Sequence, residues 1–388
     1  MLAGGFDALT ENDLRGAGSV KWTAFPDVIG AFVAEMDFGV APAITDALTG
    51  ALDQGLTGYL PDHLADALAA ATARWCSDHY GWAIPAGRVK HVPDVIAAFE
   101  YAIEQYTDPG AAVIVPTPAY MPFLMVPPML GRRVIEVPSI DVDGRWVMDH
   151  AAVTAAFADG GELLVLCNPH NPLGTVATRD ELEQVAETVS AAGGRVFSDE
   201  IHAALVYGSS RHIPYASISD ETAAHTLTAT SASKAWNLAG LKCAQVIVSN
   251  DADAVLWERE GAWISHGTST LGAVANIAAY TRGESWLAEV IDYLDGNRRR
   301  LAALVAEHLP EARVTVPEGT YIALLDFRAY GIEGDLGAWF REHAGVAMTD
   351  GAACGESAIG YTRFVFAMPR PVMEQAVLRI GDALRSRS

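Results

Sequence analysis

The lysines of this chain are few, and one of them has a setting suited to chemistry. Among 388 residues with 26 lysines and arginines in total, the lysines are Lys21, Lys90, Lys234 and Lys242. A lysine amine can form a Schiff base with a carbonyl compound, so such chemistry has few candidates here. Lys234 directly follows the run 228–233 of small and hydroxyl-bearing residues. Such residues can donate hydrogen bonds to an anionic ligand without crowding it. A lone loop lysine is usually a solvated surface charge, so neighbouring motifs must decide.

Polar motifs follow several short runs rich in β-branched residues. They read PTPAY at 116–120, NPHNPLG at 168–174, SDEIH at 198–202 and SASK at 231–234. In open α/β sheets, ligands bind at the carboxyl ends of the strands, and loops that build sites are rich in polar and turn-forming residues. The four motifs therefore predict one site along one edge of a sheet.

The elements that position these motifs alternate between strand and helix. Predicted strands are Ala112–Val115, Leu163–Cys167, Val196–Ser198, Thr226–Ala229 and Gln245–Val248. Helical patterns cover about 94–106, 120–130 and 178–192. This alternation predicts βαβ units in an α/β fold with a mostly parallel central sheet.

The C-terminal part has a different pattern, which predicts a smaller α+β domain. Long helices are predicted over about 268–309, followed by strands Arg313–Val316, Tyr321–Phe327 and Thr362–Ala367, with helices near 334–344 and 371–386. A chain of this length usually folds into more than one domain, each with its own core. We therefore predict a large domain over 45–275 and a small domain formed by 1–44 and 276–388, with the N-terminal segment wrapping across to it.

Composition excludes several classes of function. The formal net charge of −22 argues against nucleic-acid binding, which requires a positive surface. The longest uncharged stretch, 111–131, contains several prolines and predicts a strand, a loop and an amphipathic segment rather than a membrane span. The N-terminus has no pattern of a secretory signal, and the four scattered cysteines predict buried reduced thiols without a metal site. A cytoplasmic enzyme is the expectation.

Taken together, the motifs carry a resemblance to a known family. NPHNPLG, SDEIH, SASK and Arg363 occur in the order and spacing of fold-type I, aminotransferase-like enzymes that depend on pyridoxal 5'-phosphate (PLP). The chain most closely resembles the MalY/PatB type of C–S β-lyases, and among them actinobacterial cystathionine β-lyases. The segments that carry this finer resemblance are AEMDF at 34–38, Tyr120, CNPHNPLGTV, DEIHAALVY and SKAWNLAGLKCAQ.

The resemblance implies a role for each matching residue. Lys234 is implied to hold PLP as a Schiff base and to act as the general base, and Asp199 to pair with the pyridine nitrogen. Arg363 is implied to bind the substrate carboxylate through two parallel hydrogen bonds, with Tyr321 lining the pocket. The other implied cofactor-binding residues are Asp94, Val95, Tyr120, Asn171, His202, Ser231, Ser233, Lys242 and, from a neighbouring subunit of a homodimer, Tyr59.

Two of these implied roles depend on local geometry. The phosphate is expected at the start of the helix after Asp94, whose free backbone N–H groups suit an anion. We expect the Asp94 carboxylate to cap that helix and to point away from the phosphate. His202 occupies a position where many aminotransferases have tyrosine, and either contact with the cofactor oxygen or packing beside it fits the sequence.

The implied activity is β-elimination of L-cystathionine or another S-substituted L-cysteine, with homocysteine feeding methionine synthesis. An aminotransferase is the alternative, because the same motifs support both reactions. A PLP-binding regulatory domain is disfavoured, because no basic helix-turn-helix segment accompanies the fold.

Overall fold

The computed structural model describes residues 5–387. Its strands are β1 (Ile29–Gly30), β2 (Val89–Val92), β3 (Ala112–Thr117), β4 (Arg133–Pro138), β5 (Ile140–Val142), β6 (Arg145–Val147), β7 (Gly161–Cys167), β8 (Arg195–Asp199), β9 (Thr226–Thr230), β10 (Ala244–Val248), β11 (Arg313–Val314), β12 (Ile322–Asp326), β13 (Val346–Ala347), β14 (Thr349–Asp350) and β15 (Tyr361–Val365). Its α-helices are α1 (Glu11–Ala17), α2 (Val20–Thr23), α3 (Pro42–Asp53), α4 (Asp62–Tyr80), α5 (Val95–Tyr106), α6 (Met121–Met129), α7 (His150–Ala158), α8 (Arg179–Ala192), α9 (Asp220–His225), α10 (Asp251–Ser265), α11 (Thr270–Arg282), α12 (Glu284–His308), α13 (Leu336–His343) and α14 (Arg370–Arg387).

The largest sheet confirms the predicted α/β fold. Its strand order is β2-β10-β9-β8-β7-β3-β4. The run β9-β8-β7-β3-β4 is parallel throughout, whereas β10 is antiparallel to both of its neighbours. All five strands predicted for this sheet belong to it. The edge strands β2 and β4 were not predicted, because VKHV and RVIEVP mix polar with apolar residues, as partly exposed edges do.

Helices cover both faces of the large sheet. On one face, α5 and α6 contribute Phe99 and Phe123 to a core that also contains Trp257 of α10. On the other face, α7 and α8 contribute Val153 and Val185. The inner strands β3 and β7 are buried on both sides, which is why most of their residues are apolar and do not alternate with polar ones.

A second, four-stranded antiparallel sheet has the order β11-β12-β15-β14. The N-terminal segment reaches this part of the molecule, because β1 pairs in parallel with β13. The predicted wrapping is thus observed, while the division into domains at 44/45 and 275/276 stays a prediction. The helical region 268–309 consists of α11 and α12, with Gly283 between them.

The uncharged stretch 111–131 and the four cysteines have the structure predicted for them. Residues 111–131 form β3, a short loop and α6. Within residues 5–387, no helix is long and apolar enough to cross a membrane. Cys76, Cys167, Cys243 and Cys354 are all free and buried. The described residues also hold no group of His, Cys, Asp and Glu suited to a metal ion.

Candidate active site

A cavity of about 190 Å³ lies where the strands of the large sheet end. Most of the predicted site residues line it, together with Ala34 from the N-terminal segment. These are Asp94, Val95, Tyr120, Asn171, Asp199, His202, Ser233, Lys234 and Lys242. The four polar motifs of the sequence therefore meet at one place, as predicted.

Lys234 lies inside this cavity with an amine that loses its proton easily. Its Nζ donates to the carbonyl oxygen of Ala34 at 3.0 Å, and the hydroxyl of Tyr321 donates to the same oxygen at 2.9 Å. Burial lowers the pKa of Lys234 to about 8, and the positive charge of Arg363 acts in the same direction. The neutral form, which a nucleophile or proton acceptor must have, is therefore far more abundant near neutral pH than for an ordinary lysine.

Asp199 is the last residue of β8 and is 4% exposed. One carboxylate oxygen accepts the backbone N–H of Ile201 at 3.0 Å. Burial raises the pKa of Asp199 to about 7, against the lowering effects of that N–H and of Lys234. A buried carboxyl of this kind is stabilised as an anion by a cationic partner in the cavity.

Asn171 and His202 are buried with polar atoms that no described residue satisfies. The side-chain oxygen of Asn171 and Nδ1 of His202 have no hydrogen-bond partner among residues 5–387. The His202 ring packs edge-on against Tyr321, with ring centroids 5.8 Å apart. Burial holds the pKa of His202 well below its usual value, so its ring is neutral. Buried unpaired polar atoms beside a cavity indicate a polar ligand.

Tyr120 offers an aromatic surface to the same cavity. It occupies the N-cap position of α6 and packs edge-on against Phe123, with ring centroids 5.6 Å apart. Burial raises the pKa of its hydroxyl, which stays protonated at neutral pH. The placement is suited to stacking against a planar ring.

The start of α5 forms an end of the cavity suited to an anion. One oxygen of Asp94 accepts the backbone N–H of Ala97 at 2.9 Å, so the predicted helix cap is confirmed. The other oxygen accepts from Nζ of Lys242 at 2.8 Å. How this carboxylate is oriented relative to a bound phosphate stays a prediction. A bound phosphate would compete with Asp94 for Lys242.

The two serines before Lys234 differ in position. Ser233 lines the cavity. The Ser231 hydroxyl donates to the carbonyl oxygen of Cys243 at 2.8 Å and accepts the backbone N–H of Ser233 at 3.0 Å. Because its proton is already engaged, Ser231 supports the loop from behind in this structure. Its role as a phosphate ligand stays a prediction.

Arg363 lies on β15, 2% exposed, without a carboxylate partner among the described residues. One of its terminal nitrogens, Nη1, donates to the carbonyl oxygen of Phe32 at 3.1 Å and to the hydroxyl of Thr349 at 3.3 Å. Its Nε has no partner within residues 5–387. A buried guanidinium bound only to neutral groups can bind the carboxylate of a ligand, to which it donates hydrogen bonds.

Tyr59 lies outside the cavity in the single chain. It is 84% exposed, and its ring contacts that of His266 at a centroid distance of 5.2 Å. Trp263, which stacks on the same His266 ring, is 86% exposed. A contribution of Tyr59 to the site of a second subunit stays a prediction.

Two contributors were not predicted from the sequence. The carbonyl of Ala34 accepts from Lys234, but a backbone oxygen leaves no signal in residue type. Asn237 bonds the backbone of Met36 through both its side-chain oxygen and nitrogen. The sequence feature that could have indicated this role is the position of the asparagine, three residues after the lysine in a turn.

The fold and the cavity are those of an α/β enzyme with a reactive lysine. A buried carboxyl and a lysine with a lowered pKa meet in the cavity, and the buried Arg363 of the second sheet lies near enough for its charge to act on that lysine. The chain belongs to the aminotransferase class I and II family, whose profile matches residues 26–380.

Individual relatives agree along nearly the whole chain. A cystathionine beta-lyase of Corynebacterium glutamicum is 38% identical over 96% of this chain and 98% of its own length. The cystathionine beta-lyase PatB of Bacillus subtilis is 31% identical over 95% of this chain and 97% of its own. A solved structure from Corynebacterium diphtheriae, provisionally described as a PLP-dependent beta-cystathionase, superposes with a TM-score of 0.92 at 37% identity, covering 98% and 99% of the two chains. The resemblance stated from the motifs is confirmed.

Proposed function

We propose that this chain is a PLP-dependent carbon–sulfur β-lyase acting on L-cystathionine or other S-substituted L-cysteines. The observation that carries the proposal is that Lys234 and Asp199 line one cavity, with the buried Arg363 near enough for its charge to act on Lys234, in a chain whose relatives along nearly its whole length include a cystathionine beta-lyase. The products are a thiol, pyruvate and ammonia.

The residues of the cavity fit PLP. Asp199 suits the ring nitrogen, Asn171 and His202 suit the phenolic oxygen, and Tyr120 suits the ring face. The start of α5, at Asp94 and Val95, suits the phosphate, with Ser231, Ser233 and Lys242 as further ligands. When bound, PLP supplies an electron-accepting ring that stabilises negative charge on the substrate Cα.

The remaining work falls to side chains of the protein. Arg363 binds the substrate carboxylate and fixes the orientation of Cα, and Tyr321 lines this part of the pocket. The freed amine of Lys234 removes the Cα proton as a general base. The Cβ–S bond then breaks, and the sulfur leaves with the bonding electron pair as a thiolate. Adding one water to L-cystathionine balances homocysteine, pyruvate and ammonia.

The proposal includes a homodimer in which Tyr59 reaches the phosphate of the partner's site. It is supported by the exposure of Tyr59 and Trp263, whose rings both contact that of His266, since large aromatic groups clustered at a surface favour an interface. A cytoplasmic location and a role in methionine synthesis complete the proposal, the latter because homocysteine is the thiol released from cystathionine.

The test is a product assay on PLP-loaded protein with L-cystathionine and no oxo acid. Equal amounts of pyruvate, ammonia and thiol, lost in Lys234→Ala, support the lyase. If nothing forms until an oxo acid is added, and a new amino acid then appears, the chain is an aminotransferase and the proposal is wrong.

A further inference from the structure

A backbone segment from the N-terminal region forms part of the wall beside Lys234. We call residues 32–39 the cover segment. Ala34 within it lines the cavity and accepts the hydrogen bond from Lys234 at 3.0 Å. The position of this segment therefore decides where the free amine of Lys234 finds its acceptor.

Lys234 and two buried side chains of the second sheet region, Arg363 and Tyr321, hold the first half of the cover segment. Arg363 donates to the carbonyl oxygen of Phe32, and both Lys234 and Tyr321 donate to that of Ala34. In the proposed function, Lys234 and Arg363 exchange these contacts for cofactor and substrate. The first half of the segment thus loses part of its support when the site is loaded.

Asn237 holds the second half by contacts that ligand binding does not use. Its side-chain oxygen accepts the backbone N–H of Met36 at 2.9 Å. Its side-chain nitrogen donates to the carbonyl oxygens of Met36 at 2.9 Å and Gly39 at 3.2 Å. Three hydrogen bonds of one side chain therefore fix the distance and the orientation of this part of the segment relative to Asn237.

The backbone at Asn237 carries a second sign of a specialised position. Its φ is 61°, in the left-handed region, where asparagine is tolerated better than most residues. Asn237 lies in the turn that holds Lys234, which the bond from the Leu238 N–H to the Ser233 carbonyl oxygen closes at 2.8 Å. The cover segment is therefore tied directly to the turn of the reactive lysine.

We propose that Asn237 is a positioning residue that keeps the carbonyl of Ala34 beside the amine of Lys234. Whenever the amine is free, Ala34 accepts one of its N–H groups and directs the nitrogen lone pair elsewhere, which in the lyase is toward the substrate Cα. The inference deepens the proposed function, and only its kinetic test depends on that function.

The first experiment uses the PLP-free protein and no substrate. Dilute formaldehyde with borohydride methylates amines, and mass spectrometry gives the rate at Lys234 relative to Lys90 as an internal reference. In Asn237→Gly, which keeps the left-handed backbone but removes the amide, we expect the Lys234 rate to rise about tenfold. An unchanged ratio overturns the proposal.

A second variant and a matched control separate positioning from folding. Asn237→Asp keeps the shape and the acceptor for Met36 but loses both donated bonds, so its rate at Lys234 should also rise. Asp143→Gly relieves another left-handed residue, in the exposed β5–β6 turn, and should leave the ratio unchanged. A rise in this control as large as in Asn237→Gly contradicts the proposal.

The kinetic test measures kcat and KM for L-cystathionine per mole of bound PLP. Because misplacing the amine by about 1 Å costs up to about a hundredfold in rate, we expect kcat of both Asn237 variants to fall by about 10- to 100-fold with KM little changed. Loss of PLP content alone, with normal kcat per bound PLP, means a structural role and contradicts the proposal. If the wild type has no lyase activity, the proposed function fails, while the methylation result still decides on Asn237.

Discussion

Burial acts in opposite directions on the two ionisable groups at the centre of the cavity. It lowers the pKa of Lys234 to about 8 and raises that of Asp199 to about 7. The pKa of each group therefore lies close to neutral pH, as is typical of groups at functional sites. The two effects have one cause, since a cavity that excludes water disfavours either charge.

The reactivity of Lys234 should therefore depend on pH in a predictable way. A lowered lysine pKa means that the neutral amine predominates above about pH 8 rather than above the ordinary value of 10.5. In PLP-free protein, the rate of Lys234 modification by an amine-reactive reagent, followed by mass spectrometry, should rise with a midpoint near 8. Arg363→Met removes a positive charge and should move the midpoint upward. A wild-type midpoint near 10.5 would show that the amine is solvated.

Residue types alone predicted most of the candidate site at this scale. Nine of the predicted residues line the same cavity, because their motifs follow strands whose ends must meet. The bond between the Asp94 carboxylate and Lys242 was not predicted, because it depends on a partner 148 residues away. Contacts made by backbone atoms, such as the carbonyl of Ala34, are not encoded by side-chain type and were not predicted.

At the scale of elements, the start of α5 and the loop between β9 and β10 come together at one end of the cavity. The Lys242–Asp94 pair joins them. If a cofactor phosphate binds there, Lys242→Ala should weaken PLP binding about tenfold, because a charge-assisted hydrogen bond is lost. Pyridoxal, which lacks the phosphate, should bind both proteins equally in a spectroscopic titration. Equal weakening of both ligands would place the phosphate elsewhere.

The packing of α11 against that loop depends on a glycine. A Cβ at Gly272 would lie 2.1 Å from the carbonyl oxygen of Leu241, the neighbour of Lys242. Gly272→Ala should lower the free energy of unfolding by about 2 kcal/mol or more in denaturant titration, even though alanine favours helices. In the matched variant Gly50→Ala, within α3 and with open space around it, stability should rise by up to about 1 kcal/mol. A stabilised Gly272→Ala would contradict this packing.

The sequence pattern predicted the inner strands of the large sheet but not its edges or the reversed direction of β10. β3, β7, β8 and β9 are buried on both faces. β2 and β4 have one unpaired edge, so polar residues are tolerated and the pattern fails. The direction of β10 is set by how the chain returns after Lys234, and direction has no signature in the residues of the strand itself.

At the scale of the whole molecule, Tyr59 and Lys234 belong to different environments of one chain. One is 84% exposed and the other lines a cavity. If the site is shared between two subunits, Tyr59→Ala and Lys234→Ala proteins should each be impaired. Subunit exchange between them should restore activity to about a quarter of wild type, because half of the dimers then contain one intact site.

The control for this mixing experiment is each variant mixed with itself. Light scattering should give twice the 41.2 kDa chain mass. Activity of the mixture equal to the mean of the two parents would mean that each chain completes its own site, and the proposed contribution of Tyr59 across subunits would be withdrawn.

Of the four lysines, we propose that Lys234 alone carries the cofactor. The direct measurement is to incubate the protein with PLP, reduce with borohydride, digest, and locate the added mass by tandem mass spectrometry. We expect one pyridoxyl phosphate group per chain, on Lys234, and none in Lys234→Ala. Labelling of Lys21, Lys90 or Lys242 instead, or labelling that survives in Lys234→Ala, would contradict it.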